Sequence, residues 1–437
     1  MTDQMKAEQT EAPEKVDGVR VGEARPAIPG MDQEGEKLSP DLAADDTIRA
    51  RRSANAGSDS QIMHSRAERP WSFDVADFSL PTGREEEWRF SPVKQLQGVF
   101  EDAASDDREG DPAASYALEV PEGWDAGTLA GGQAPRDSVL RPADRAAAVG
   151  SANAGEARYV RIPENSEHAE PVTVRVAGRG ADRRSNSHLV IEAGANSHTT
   201  VVVEHTGSAQ HNGNVEAIVR EGASLTLISL QRWDDDAVHV GQHDAQVGKD
   251  GSYKHIAVTL GGRIVRLNSN VRYEAEGGNA QLFGLYYADS GQHLEHRSFV
   301  DHNSPRNTSN VLYKGALQGE GARTVWVGDV LIQKEAEGTD SYEKNQNLVL
   351  TDGARADSVP NLEIETGVIE GAGHASTTGQ MDAEHLWYLM ARGIPEKQAR
   401  RLVVRGFLNE IVQQIGVPEL EDSLMEAFEA ELAISDN

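Results

Sequence analysis

From Arg158 onward the chain is a succession of short β-type runs (YVRI, VTVRV, HLVIEA, HTTVVVEH, SLTLISLQRW, YKHIAVTLGG, AQLFGLYYA), with no helix-length amphipathic segment between them. Doubly wound α/β sheets need crossover helices between parallel strands, so that architecture is excluded. Small-residue turns recur at Gly194, Gly222, Gly251, Gly278, Gly321 and Gly353, with spacings of 28, 29, 27, 43 and 32. Such near-constant return suggests the coils of a β-solenoid passing the same corner, with one longer coil between Gly278 and Gly321. A large antiparallel sandwich with evenly spaced hairpins is the alternative. The spacing favours the solenoid.

The flanks differ from this core. Residues 1–70 lack Phe, Trp and Tyr and are dense in acidic and small residues, which predicts a largely disordered tail holding one short helix after Ser39. Residues 71–157 read as an amino-terminal helical region, with a helix-like stretch from Arg84 to Leu96 and an acidic, variable insert after Glu101. The β core is expected over 158–380, and a helical domain over 381–437. In that domain Asp382 caps a helix carrying Ala383, Leu386, Trp387 and Met390 and ending at Gly393. A second helix opens at Pro395 with an apolar stripe of Ala399, Leu402, Val403, Phe407 and Ile411, and a third aligns Leu420, Leu424, Phe428 and Leu432.

Composition narrows the function. With 42 basic against 71 acidic residues the formal charge is −29, which argues against a phosphate-tracking nucleic-acid surface. No apolar run approaches the ~20 residues of a membrane span, and no secretory leader is readable, so a cytoplasmic protein without a membrane partner is expected. There is no cysteine, hence no disulfide, thiolate nucleophile or self-contained thiolate cluster site. The chain has no GxxxxGK[ST] phosphate loop and no GxSxG elbow. His293, His296 and His302 invite a metal reading, but an unligated surface role is expected for them. A β-helix carbohydrate-active enzyme is the alternative function; the acidic residues that it would cluster on one face are scattered here.

Several motifs between residues 301 and 393 occur together in a distinctive order: DHNSPRNTSNVLYKG (301–315), RTVWVG (323–328), TDSYEKNQNLVL (339–350), SVPNLEI (358–364), GHASTTGQMD (373–382) and LWYLMARGI (386–394). In order and spacing they resemble the SufB/SufD family of iron–sulfur cluster assembly scaffolds, and the upstream PTGREEEWR (81–89) resembles the SufD branch. The resemblance implies a right-handed parallel β-helix with helical ends, acting as a non-catalytic scaffold subunit. It further implies pairing with SufB through the β-helix and docking of the SufC ATPase on the carboxyl-terminal helices, with Arg400, Arg401, Arg405 and Phe407 as the docking residues. The cargo would be a nascent iron–sulfur cluster, with reduced flavin a candidate cofactor of the assembled complex and no cluster held stably by this chain alone. Lacking cysteine, the chain fits the SufD branch better than the SufB branch.

By the same resemblance His374 is the functional residue at the SufB interface, as a transient metal ligand or proton donor, or else as a histidine that only hydrogen-bonds across the interface. Ala372 stands where some relatives carry a cysteine. If the segment is extended, Glu370 shares a strand face with His374 and could orient its ring. Gly315, Gly328, Pro360 and Gly379 read as corner and coil geometry.

Overall fold

The computed structural model describes residues 65–434, together with a short antiparallel pair, β1 (Lys15–Val16) and β2 (Val19–Arg20), in a separate amino-terminal unit. The helix expected after Ser39, and nearly all of the tail expected over 1–70, lie outside the described residues.

The main body begins with β3 (Ala114–Glu119), β4 (Asp125–Leu129), β5 (Ala157–Ile162), β6 (Val172–Ala193) and β7 (His198–Val219). Next come β8 (Ser224–Trp233), β9 (Val238–Val247), β10 (Ser252–Thr259), β11 (Ile264–Tyr273), β12 (Asn279–Ala288) and β13 (His293–His302). The last strands are β14 (Thr308–Leu317), β15 (Arg323–Ile332), β16 (Thr339–Val349), β17 (Arg355–Ile364) and β18 (Ile369–Gln380). From β8 the even strands pair in parallel as one wall and the odd strands as the other. The long strand β7 joins the walls: its first half pairs with β8 and its second with β9. The result is a two-walled parallel β-solenoid of about 8 turns.

The glycine corners need one correction. Gly194, Gly222, Gly251 and Gly278 do mark one edge, where Asn196 N donates to Glu221 O, Gly222 N to Lys249 O and Asp250 N to Glu276 O. Gly321 and Gly353 belong to the opposite edge, where Gly291 N donates to Glu320 O and Gly321 N to Gly353 O. No coil is unusually long: Asn279 pairs with Thr308 in the next rung, and Thr308 with Asp340. The 43-residue interval is one coil and a half.

Among the described residues five α-helices accompany the solenoid: α1 (Gln97–Phe100), α2 (Arg145–Asn153), α3 (Ala383–Met390), α4 (Glu396–Val412) and α5 (Pro418–Ile434). Arg84–Leu96 is not a helix but two single 3₁₀ turns, Glu86–Trp88 and Val93–Gln95, which set Trp88 edge-on to Phe100 at 4.9 Å against Val238, Val240 and Ile264. Residues 101–157 carry β3, β4 and α2. Asp382 caps α3 by accepting from Glu384 N.

Helices α4 and α5 cover the outer face of the even wall. Val404, Leu408, Ile411, Leu424, Phe428 and Leu432 pack on Ile228, Leu230, Ile256, Val258, Leu285 and Tyr287. Buried on both faces, these strands read as near-continuous apolar runs such as LTLISL, not as alternating ones. The buried stripe of α4 is therefore Ala399, Val404, Leu408 and Ile411; Leu402 faces outward and Phe407 is half-buried.

Candidate functional site

One column of register partners runs through the even wall: Val201, Leu227, His255, Leu282, Val311, Glu343 and His374. Parallel in-register pairing stacks these side chains on one face of the wall. The first five are fully buried, and burial holds the His255 imidazole at about 4, so it is neutral. Only at the last two rungs does the column end in an acid and an exposed imidazole.

Glu343 is buried, and neither carboxylate oxygen has a partner at hydrogen-bonding geometry. Burial, reinforced by the charge of Asp329, pushes its carboxyl up to about 8, and the Asn361 amide opposes this only weakly. His374 Nδ1 lies 3.8 Å from Glu343 Oε1, and its side chain is 44% exposed. A carboxyl that exchanges its proton near neutrality beside an open imidazole is equipped for proton transfer, and a metal ion at the ring would meet a second donor. Gly328 makes the room: a Cβ there would sit 2.4 Å from Glu343 Oε2 and 2.3 Å from the Trp326 ring. Arg66 anchors the neighbouring Asp329 at 2.5 Å.

Beside this pair the interior is a ladder of polar side chains. Asn347 Nδ2 donates to Asn345 Oδ1 (2.7 Å), Ser358 Oγ (3.1 Å) and Thr378 Oγ1 (3.2 Å), and Asn345 Nδ2 donates to the Tyr286 hydroxyl (2.8 Å). The outer edge of β18 pairs with no strand among the described residues. Twelve residues long, it carries no Lys or Pro, and its one irregularity is a bulge at its very start.

Other expected residues stand differently. Glu370 is the extra residue of a β-bulge, since Ile369 pairs with Thr339 and Gly371 with Asp340. That bulge breaks the alternation that would align Glu370 with His374, and the carboxylate beside the ring is that of Glu343. Alternation through Ser341, Glu343, Asn345 and Asn347 was the sequence signal for it. Arg400 pairs with Glu396 at 3.2 Å and Arg405 with Glu429 at 2.8 Å, while Arg401 is half-buried. Phe407 packs over Lys314 Nζ at 4.6 Å. The exposed apolar side chains in this region are Trp387, Tyr388, Met390 and Leu402.

His293, His296 and His302 are not surface residues. His293 pairs with buried Glu295 at 3.2 Å, His296 stacks on Tyr286 at 4.9 Å, and His302 stacks on Tyr273 at 5.0 Å. Gly315 and Gly328 are strand-interior, not corner, positions: a Cβ on Gly315 would lie 1.9 Å from the Tyr286 ring. Pro360 sits in β17, which ends the odd wall, where a missing N–H is tolerated.

Fold and site together define a thiol-free β-solenoid protein whose last rung presents a histidine–carboxyl pair at an open edge. Residues 175–407 match the family described as SUF system FeS cluster assembly, SufBD core domain. An iron–sulfur cluster assembly SufBD family protein of Mycobacterium bovis is 46% identical over 382 residues, covering 86% of this chain and 95% of that protein. A protein of the same description from Mycobacterium leprae is 46% identical over 376 residues (84% and 94%), and one from Synechocystis is 30% identical over 209 residues (48% and 46%). The chain belongs to the SufBD family of iron–sulfur cluster assembly proteins. That membership decides against the carbohydrate-active alternative.

Proposed function

We propose that this protein is the SufD-type, non-catalytic scaffold subunit of a cytoplasmic iron–sulfur assembly complex, pairing with SufB along the open edge of β18 and docking the SufC ATPase on its carboxyl-terminal helices. The observation that carries the reading is the pairing of His374 with buried Glu343 at the open last rung of a chain that has no cysteine. The partner supplies the thiolates; this chain supplies an imidazole and an exchangeable proton beside the nascent cluster. Neither a stable cluster nor a flavin is assigned to the lone chain, and reduced flavin belongs to the assembled complex. For SufC docking the exposed side chains Trp387 and Leu402 join Arg400, Arg401 and Arg405 as contact residues, with Phe407 acting from beneath.

Co-purification and anaerobic reconstitution test this. The tagged chain should recover an ABC-type ATPase and a cysteine-containing paralogue, and His374→Ala should leave that complex assembled while cluster formation on it falls sharply. A stoichiometric cluster on the lone chain, or wild-type cluster formation by His374→Ala, would sink the assignment. Deleting 395–437 is the wrong way to test docking, because it uncovers the apolar wall beneath α4 and α5. Trp387→Glu with Leu402→Glu, both at exposed positions, should instead abolish SufC recovery and keep SufB pairing.

A further inference from the structure

At the other end of the lumen three histidines converge. His205 and His211 flank the bend of β7, and His239 is the register partner of His211 on β9. One ring nitrogen of each lies within 4.8 Å of those of the other two, and all three side chains are buried. Ring centroids are separated by 4.8 Å (His205–His239), 4.9 Å (His211–His239) and 5.7 Å (His205–His211). Imidazoles sharing one tetrahedral ion through Zn–N bonds of ~2.0–2.1 Å have centroids about 5 Å apart, so the spacing is that of a ligand set.

The hydrogen bonding points the same way. Each Nδ1 has a neighbour: His205 has Leu230 O (3.2 Å), His211 has Ser185 Oγ (3.2 Å), and His239 has Gln231 Oε1 (2.8 Å) and also the Trp233 indole N–H, which donates to it at 3.1 Å. At His205 and His211 that is how protein groups orient a metal-binding imidazole by its far nitrogen. His239 Nε2 is buried with no partner. It is aimed over Gly213, where a Cβ would lie 3.1 Å from it and 2.8 Å from His211 Nε2. The missing side chain keeps open the point on which the two nitrogens converge. Ser187, whose Oγ is 3.1 Å from His211 Nε2, lines with Tyr116, Arg158 and His188 both a cavity of about 520 Å³ and the smaller cavity reaching His205 and Gly213.

We propose that His205, His211 and His239 form a buried three-histidine site for a divalent first-row transition-metal ion such as Zn²⁺, with the fourth position facing the cavity beside Gly213. Burial keeps all three rings neutral at physiological pH, which is the ligating form. With only imidazole donors the site suits zinc-like ions over hard oxygen-preferring ones such as Mg²⁺. It stands apart from His374 and Glu343, which lie on β18 and β16, so its fate is independent of the cluster-assembly reading.

The test uses the full chain isolated from cells grown with added Co²⁺, and the same protein stripped with chelator and titrated with Co²⁺. About one equivalent per chain, with the intense visible bands of tetrahedral Co²⁺ and a Tm raised by the ion, is expected. Gly213→Ala fills the cradle and spares every histidine; it and His239→Gln should weaken binding at least ~100-fold. His374→Ala should bind as wild type. Absence of cobalt from both preparations of the folded wild-type chain, or equal loading of wild type, Gly213→Ala and His239→Gln, overturns the site and leaves the cluster as three packed neutral rings.

Discussion

The side facing α2 and the open last rung are built from the same kind of strand, yet they treat buried charge in opposite ways. On the odd wall Arg266 is wholly buried, paired with Asp144 at 2.7 Å and Glu295 at 3.3 Å, and it lies over the Trp88 ring at 3.9 Å. Glu87, Asp144 and Glu295 there each face an arginine. Against its burial, Arg69, Arg297 and Arg266 pull Glu87 down to about 2, and burial of Glu295 is likewise outweighed by His293, Arg266 and Arg297. At the last rung Glu343 is buried without a cation in contact and holds its proton to about 8. The paired network fastens the amino-terminal segment to the wall; the unpaired acid is kept in reserve beside an exposed ring. Closed charge serves stability, and uncompensated charge marks the end that does chemistry.

Breaking the paired side has the largest expected effect. Arg266→Met strands buried Asp144 without its cation and takes one of two arginines from Glu295, and it should cost about 3–5 kcal/mol, read as a lowered denaturation midpoint in urea. An unchanged midpoint would show that the network contributes nothing net. His302→Ala comes next. Its ring is buried against Tyr273 and accepts or donates at Ser309 Oγ (2.9 Å), so about 2–3 kcal/mol is expected, and this variant cannot serve as a silent control for His374.

The two regions should also titrate in opposite directions. Glu87 has its folded value lowered from 4.5 to about 2, so the stability it contributes is complete above pH 4.5 and is lost as the pH falls towards 2. For Glu343 the folded value is raised from 4.5 to about 8, so between those limits the folded chain binds more protons than the unfolded one, and stability falls as the pH rises. Glu343→Gln should abolish that decline and stabilise the chain by about 1–3 kcal/mol at pH 9, with little change at pH 5. Parallel stability curves for wild type and variant across this range would mean that Glu343 ionises normally.

What the sequence made legible was what is local. The Asp382 cap and the Leu424, Phe428 and Leu432 stripe lie within one or a few helical turns, and both are found in the structure. In α4 the 3.6-residue period admits two overlapping stripes, and the wall beneath selected Val404 and Leu408 over Leu402 and Val403. Gly321 and Gly353 lie on the other edge from the one their spacing predicts, because both edges turn on small residues and a half-coil also ends in glycine. A surface place is the expectation for His293, His296 and His302 because polar residues are mostly exposed, whereas the solenoid interior buries each beside a carboxylate, a hydroxyl or a tyrosine ring. The His374–Glu343 pair joins residues 31 positions apart, a distance set by coil length and one bulge. The family motifs pointed to the histidine; only the register supplies its carboxyl.

The smallest expected change in stability belongs to the residue with the largest proposed role. His374 is on the edge strand, 44% exposed, and the Glu343 carboxyl beside it, at 3.8 Å, is beyond hydrogen-bonding distance. His374→Ala therefore leaves no buried group newly unpaired and no cavity in the core, and the isolated chain should keep its denaturation midpoint within about 0.5 kcal/mol at pH 7. The contrast with His302→Ala separates the two kinds of histidine in one experiment: same residue type, same family motif region, one ring packed and one presented. If His374→Ala destabilised the chain as much as His302→Ala does, the ring would be part of the solenoid's own packing. The open rung would then be held closed by the chain itself, and the comparison between a paired, stabilising side and a free, reactive end would fail.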